Sequence, residues 1–480
     1  MKILSIDKIL LATALLIGGC SSNNDEPVKP GTGGNTGGGD DKPATTVEEA
    51  RRDVKAPLYW SIYEYCWKIE QGQDTQNKMD FTEAQWDEII NYVSKNLLPY
   101  GYDMLCTDGF ISMTCDGSTP YMTNYGSISL KKLVQKCKAK GLKLGVYDNP
   151  LWIHCGDGMP VPGTSVKVGD LRYRQGDKVC NAGTNDLWFG WIVTSHTGAK
   201  EYIDGFFKHY SEMGVDFIRM DFLSWYEDGN DRGMGKVGRG YGRDCYEKAL
   251  QYIAQAANKY KVFTSLVMPH CFNGAELEAK YGNMFRVVAD TGNGTWNHFS
   301  NNNRGVSYGT WPNCNNMCDG FINWSKVSGR GKVILDGDFT RLNTFSGDSE
   351  KQSVISMQLM AGGPIAVADM PGTMGDNLRF YQNEEMLALN KDGFVGQPVS
   401  PSLIDSRNRI WHGQMSNGDY VVAFFNRDTK QVSMSLDLTE IGITGAMKSR
   451  DLWQHKDEGE VTKLSVTLPA HGCKVVRLSK

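Results

Sequence analysis

The chain has 480 residues, 40% hydrophobic and 22% charged, and 51 Lys and Arg against 55 Asp and Glu leave a formal charge of −4. That is enough apolar material for a barrel of about 250 residues or more plus one smaller domain. Without a long basic run nothing attracts a phosphate backbone or an anionic bilayer, so no nucleic-acid partner is expected.

At the N-terminus, Met1-Lys2 and Lys8 precede an apolar run over 9–17 and then Gly18-Gly19-Cys20-Ser21. A basic end, a short apolar core and small residues before the break describe a secretory signal, whereas a membrane span needs about 20 apolar residues. Ile17-Gly18-Gly19-Cys20 looks like a bacterial lipobox, so residues 1–19 are expected to be removed and Cys20 to take a lipid. The mature chain is then exported and held on a bacterial membrane, facing the periplasm or the exterior. Residues 20–53, rich in Gly, Asn and Asp, hold little that could be buried and predict a flexible linker. Of twelve cysteines, those other than Cys20 are expected as disulfides or buried thiols. Cys314-x3-Cys318 has metal-like spacing but no second pair nearby, and no metal is expected.

Residues 54–398 alternate short apolar runs with helical periodicity. Strands are predicted at 57–65, 102–110, 142–149, 215–223, 262–269, 284–291, 332–339 and 364–370. Between them Thr82-x-x-Gln85 makes a capping box ahead of Trp86, Ile89, Ile90, Val93 and Leu97, and Tyr246, Ala249, Leu250, Ile253 and Ala257 repeat the helical spacing. Ser349-x-x-Gln352 predicts a further cap. Eight βα units predict an α/β fold, a (β/α)8 TIM barrel, with a doubly wound open sheet as the alternative. Over 399–480 the period changes to two, as in Val432-x-Met434-x-Leu436 and Leu464-x-Val466-x-Leu468, which predicts a C-terminal antiparallel β-sandwich.

The C-terminal strand ends of a barrel form its active face, and here they are acidic: Glu64, Asp108, Asp148, Asp221, Asp290, Asp336, Asp338 and Asp369. Asp221 has Arg219 two residues before it on the same side of the strand, and Asp290 has Arg286 four before it. Trp60, Tyr63, Trp67, Phe110, Tyr147, Trp152, Trp225, Tyr226 and Trp296 crowd the same edge. Paired carboxylates ringed by aromatics are what glycoside hydrolysis calls for, since sugars stack their C–H faces on rings and offer hydroxyls to acids and Arg. Two other readings fail. Gly233-x-Gly235-x-x-Gly238 lies far past its strand and lacks the acidic partner of a dinucleotide site. His270 has no Ser or Cys elbow to serve.

At these residues the chain resembles glycoside hydrolase family 27. Ile218-Arg219-Met220-Asp221 is similar to its hydrophobic-Lys-x-Asp nucleophile motif, with Arg for Lys. Arg286 to Asp290, followed by Trp296, is similar to its Arg-x-x-x-Asp acid/base motif. Leu387-Ala388-Leu389-Asn390-Lys391-Asp392, Phe424-Phe425-Asn426-Arg427 and Pro469-Ala470-His471-Gly472 extend the likeness to the C-terminus. The resemblance implies a retaining, exo-acting α-glycosidase without a cofactor, first of all an α-galactosidase. Asp221 would be nucleophile and Asp290 acid/base, and the sugar would be held by Trp60, Asp108, Tyr147, Arg219, Trp225, His270 and Arg286. Thr107-Asp108 stands where the family has two adjacent Asp that grip galactose O4 and O6, and Met268-Pro269-His270 stands for its Cys-Glu-Trp. The family also acts on β-L-arabinopyranosides and releases isomaltose from dextran, and these remain alternatives. So does a non-catalytic surface glycan-binding lipoprotein. An aldolase or metal-dependent hydrolase would want a strand-end Lys or a His cluster, and neither is present.

Overall fold

The computed structural model describes residues 48–72, 81–109, 111–175, 178–179, 190–231, 235–301 and 314–480. The signal, Cys20, the linker up to residue 47, Phe110 and Gly233 lie outside them. Strands appear where the alternating pattern puts them: β1 (Leu58–Ser61), β2 (Met104–Cys106), β3 (Lys143–Tyr147), β4 (Val215–Met220), β5 (Phe263–Leu266), β6 (Met284–Arg286), β7 (Ile334–Asp336), β8 (Phe339–Thr340) and β9 (Ile365–Val367). Each ends before its expected C-terminal limit or breaks near it. Left-handed backbone at Phe222, Met268 and Asp338 turns the chain out of the ladder there.

All pairs are parallel, in the order β7-β6-β5-β4-β3-β2-β1-β9-β8. β7 borders β6 at one edge and β8 borders β9 at the other, yet only Gly337 and Asp338 lie between β7 and β8. Four consecutive Cα atoms span at most about 11 Å, so the two edges meet at one broken strand and the sheet closes into an eight-stranded barrel. An open doubly wound sheet would hold its edges apart.

Side-chain alternation assigns the layers. Tyr59, Cys106, Phe217, Met284, Ile334 and Ala366 pack together inside the barrel, while Leu58, Trp60, Leu105, Ile218 and Phe285 belong to the layer under the helices. Gly145 makes room inside, since a Cβ there would come within 2.8 Å of the Phe217 ring. In the outer layer α1 (Glu83–Asn96) begins with the expected box, Thr82 N–H donating to Gln85 Oε1 at 2.9 Å and Gln85 N–H to Thr82 Oγ1 at 3.3 Å. It buries Trp86, Ile89, Ile90 and Val93. α2 (Arg243–Tyr260) buries Tyr246, Ala249, Leu250, Ile253 and Ala257 as its spacing requires. α3 (Phe272–Tyr281) and α4 (Met317–Trp324) follow. α5 (Asp348–Met360) corrects the expected Ser349 cap: the helix starts earlier, behind Gly347, and Glu350 Oε2 accepts the preceding Ser346 N–H at 2.9 Å.

The chain enters under the barrel, where Ala50 N–H donates to the Lys280 carbonyl at 3.1 Å and the Arg52 guanidinium to that of Gly282 at 2.6 Å, both at the end of α3 opposite the active face. After the barrel, antiparallel strands dominate. A six-stranded sheet contains β10 (Tyr420–Phe425) paired with β11 (Cys473–Ser479), and the hairpin-like pair Val432–Asp437 and Lys463–Leu468 lies against it. Val422, Phe424, Val476 and Leu478 from the large sheet share a core with Leu436, Leu464, Val466 and Leu468 from the small one, which makes the predicted sandwich.

Candidate active site

Eight acids reach the C-terminal rim, and their partners sort them. Glu64 accepts from Arg341 Nη2 at 3.0 Å, Asn343 Nδ2 at 2.8 Å and Met370 N–H at 2.8 Å. Asp369 accepts the N–H groups of Leu342 and Asn343 at 3.0 and 2.8 Å and the Tyr381 hydroxyl. Asp148 is fully buried between Asn149 N–H, His154 and the Tyr210 hydroxyl. Asp336 and Asp338 grip Arg219 at 3.2 and 2.8 Å, and Asp338 also accepts Thr291 and Gly292 N–H at 2.9 and 3.1 Å. These five carboxylates hold loops and cations. Asp108, Asp221 and Asp290 remain.

Asp221 follows β4 and inherits the inward side of Phe217 and Arg219. Its Oδ1 accepts Phe222 N–H at 2.7 Å, its Oδ2 accepts the Tyr147 hydroxyl at 2.9 Å, and its carbonyl accepts Asn149 Nδ2 at 2.8 Å. Burial pushes its carboxyl above the usual range, against the pull of Arg286, Arg219 and the Phe222 N–H, with Asp290 adding to the rise. Asp290 is 36% exposed and accepts Arg286 Nη2 at 2.6 Å. Arg286 also faces Asp338 at 3.5 Å, and Asp338, Asp290 and Asp221 all favour its charge. Asp108 is buried and accepts its own turn's Gly109 N–H at 2.8 Å. Burial pushes it up to about 7, with Arg219 opposing and Asp221 and Asp338 reinforcing. Asp108, Asp221, Asp290, Asp336 and Asp338 thus gather around Arg219 and Arg286 as one floor under the C-terminal rim, a set of carboxyls suited to a reacting carbon that becomes positive.

The expected sugar-binding residues divide. Asp108, Tyr147 and Arg286 line this floor. Arg219 lies on it too, but its guanidinium, 2% exposed, is taken by Asp336 and Asp338 and covered by the Phe339 ring at 4.3 Å, so it braces the floor and does not reach for a ligand. Trp60 is corrected: it has the outward parity, is fully buried, and donates Nε1 to the Asp369 carbonyl at 2.9 Å. His270 is fully buried, meets Asp228 Oδ1 at 2.7 Å and stacks on Phe272. Trp225 is buried with its Nε1 on Asp231 at 3.2 Å. Trp296 stacks on His471 of the C-terminal domain.

Tyr63, and not Trp60, faces these acids. It stacks on Phe339 at 4.6 Å, and after burial the charges that most raise its hydroxyl are Asp290, Asp338 and Asp108. Tyr59 and Ser61 have the inward parity that Trp60 lacks, and Tyr63, which opens the helix after β1, packs against the same inner layer. Thr107 is fully buried, its Oγ1 accepting Tyr147 N–H at 3.0 Å, so it offers the cavity no hydroxyl reader. Among the described residues no cluster of His, Cys, Asp or Glu is arranged to hold a metal ion, and no helix is long and apolar enough to cross a membrane.

A closed barrel with this rim, joined to a β-sandwich, is the build of a glycoside hydrolase, and comparison with known proteins agrees. Residues 405–478 match the α-galactosidase C-terminal β-sandwich domain. The isomalto-dextranase of Arthrobacter globiformis is 35% identical over 89% of this chain and 68% of its own. Its structure in complex with panose superposes with a TM-score of 0.79 over 91% of this chain and 75% of that one. The β-L-arabinopyranosidase of Geobacillus stearothermophilus, of family 27, shares the fold at 20% identity and a TM-score of 0.66, covering 89% of this chain and 97% of that one. The protein is a glycoside hydrolase. It belongs to glycoside hydrolase family 27, with the isomalto-dextranase and the α-galactosidases.

Proposed function

We propose that this enzyme is a retaining α-glycosidase that cleaves an α-1,6-linked glucan, releasing isomaltosyl units, with Asp221 as nucleophile and Asp290 as acid/base. The observation that carries the catalytic reading is the pair itself. Asp221 is fixed by two donors on opposite oxygens, and Arg286 and Arg219 favour its charged form against the burial that opposes it, the form that attack on an anomeric carbon requires. Asp290, half open to solvent on Arg286, can give a proton to the leaving oxygen and later take one from water. Asp108 and Tyr63 flank the bound ring, and Arg286 and Arg219 stabilise the floor. The choice of glucan is supported by the extended identity with the isomalto-dextranase and by Thr107, whose hydroxyl is turned to the backbone where a galactose reader would present a carboxylate.

An α-galactosidase is the second reading, favoured by Asp108 and by a 23% identical α-galactosidase of Oryza sativa subsp. japonica over 73% of this chain. Incubation with dextran and with p-nitrophenyl α-galactoside, followed by product chromatography, decides between them. Isomaltose from dextran is expected. A higher kcat/KM on the galactoside, with no disaccharide from dextran, refutes the glucan. Export and a lipid on Cys20 complete the proposal, placing the enzyme where polymers too large to import are met.

A further inference from the structure

Asp290 leads into the stretch 291–301, the chain is described again from Cys314 to α4, and the C-terminal domain grips both stretches. On the way out, Thr291 and Gly292 are tied to Asp338, Thr295 N–H donates to Thr344 Oγ1 at 2.8 Å, and the turn Trp296–Phe299 leads to Ser300. On the way back, the Cys314 carbonyl accepts Ala289 N–H at 2.9 Å and Asn316 caps α4. Arg427, in the turn after β10, reaches both sides. Its Nε donates to Ser300 Oγ at 2.8 Å, and its Nη2 to Asp319 Oδ1 at 2.7 Å and Asn316 Oδ1 at 3.2 Å. The Arg427 and Asp319 side chains are 2% and 0% exposed, so water does not compete for this contact. A planar guanidinium with several fixed partners locks relative position as well as charge. The second grip is His471. Its ring stacks on Trp296 at 4.1 Å and 14°, and its Nδ1 lies 2.7 Å from Glu350 Oε1 of α5.

We propose that Arg427 and His471 are positioning residues for the acid/base: the β-sandwich holds the segment following Asp290 and thereby sets where its carboxyl stands. The inference rests on Asp290 as acid/base. Arg286 holds that carboxyl from the strand side, and the backbone that follows it is held through Thr291, Gly292 and Thr295. A general acid acts only within hydrogen-bond reach of the leaving oxygen, and a displacement of about 1 Å can cost about a hundredfold.

The test compares Arg427→Lys, His471→Asn and Asp290→Ala on two substrates of the same sugar, one with a dinitrophenolate leaving group and one with a sugar alcohol. His471 has a φ of +59°, which Asn tolerates, and its replacement leaves the buried ion pair intact should Arg427→Lys fold poorly. The expected result is a loss in kcat/KM, which reads the step that expels the leaving group, of about tenfold or more on the poor leaving group and far less on the activated one, with the contrast following that of Asp290→Ala. A merely structural role lowers both substrates alike. Equal losses in the Arg427 and His471 variants beside a strong contrast in Asp290→Ala overturn the positioning role alone. Absence of contrast in Asp290→Ala overturns it together with the acid/base assignment.

Discussion

Tyr147→Phe removes one hydroxyl and keeps the ring against which Gly109 packs, where a Cβ would come within 2.6 Å. That hydroxyl is one of two donors on the Asp221 carboxylate, at 2.9 Å, the other being Phe222 N–H at 2.7 Å. A hydrogen bond to a charged group contributes about 1.5 to 3 kcal/mol, and about 1.4 kcal/mol of differential interaction is one pKa unit. Its loss should raise the Asp221 carboxyl by about one to two units, from a position that burial already holds above the ordinary range. Because a nucleophile must be ionised, the acid limb of kcat/KM moves up by the same amount. Below that limb the variant loses about tenfold per unit, and at higher pH the two profiles converge. The assay is kcat/KM for an aryl glycoside across pH in both proteins. An unmoved acid limb would refute the reasoning, because the hydroxyl would then contribute nothing to keeping Asp221 charged.

Asp221→Asn should abolish turnover of every substrate, whereas Asp290→Ala should release a rapid burst of an activated phenol and then stall, general acid help being worth about 10² to 10⁴. Azide should restart the stalled step and give a product of retained configuration, and an inverted azide would remove the retaining assignment. Glu278, fully buried with the Tyr246 hydroxyl at 2.8 Å, is pushed up to about 7 by burial. Between pH 4.5 and 7 the folded state therefore keeps a proton that the unfolded chain has released, and stability falls as pH rises through that window, by about 3 kcal/mol. Glu278→Gln should flatten this fall in urea titrations at pH 5 and 8, and an unchanged slope counts against it. Cys20→Ser should move the protein out of the membrane fraction, and a variant that still pellets without detergent excludes the lipid anchor.

Local repetition fixes what neighbours along the chain can decide. The eight strands, the Thr82–Gln85 box and the apolar stripe of α2 were legible because periods of two and 3.6 are properties of short segments. The sandwich was legible for the same reason in Val432, Met434 and Leu436. The two candidate catalytic acids stood out because each closes an apolar run with an Arg on its own side. Which acids are spent was not legible. Glu64 is claimed by Arg341, 277 residues away, Asp148 by Tyr210, 62 away, and Arg219 by Asp336 and Asp338, 117 and 119 away. No periodicity encodes such pairings, because they depend on how a closed barrel brings distant strand ends around one rim. Barrel closure decided them, and it hangs on the break at Gly337 and Asp338 that lets one strand border both edges. Parity would have set Trp60 aside, but that the indole is committed to the Asp369 carbonyl, 309 residues on, is a tertiary fact. So is the hold of Arg427 and His471 on the segment after Asp290, since only packing of the sandwich on the barrel puts a C-terminal cation beside Ser300 and Asp319.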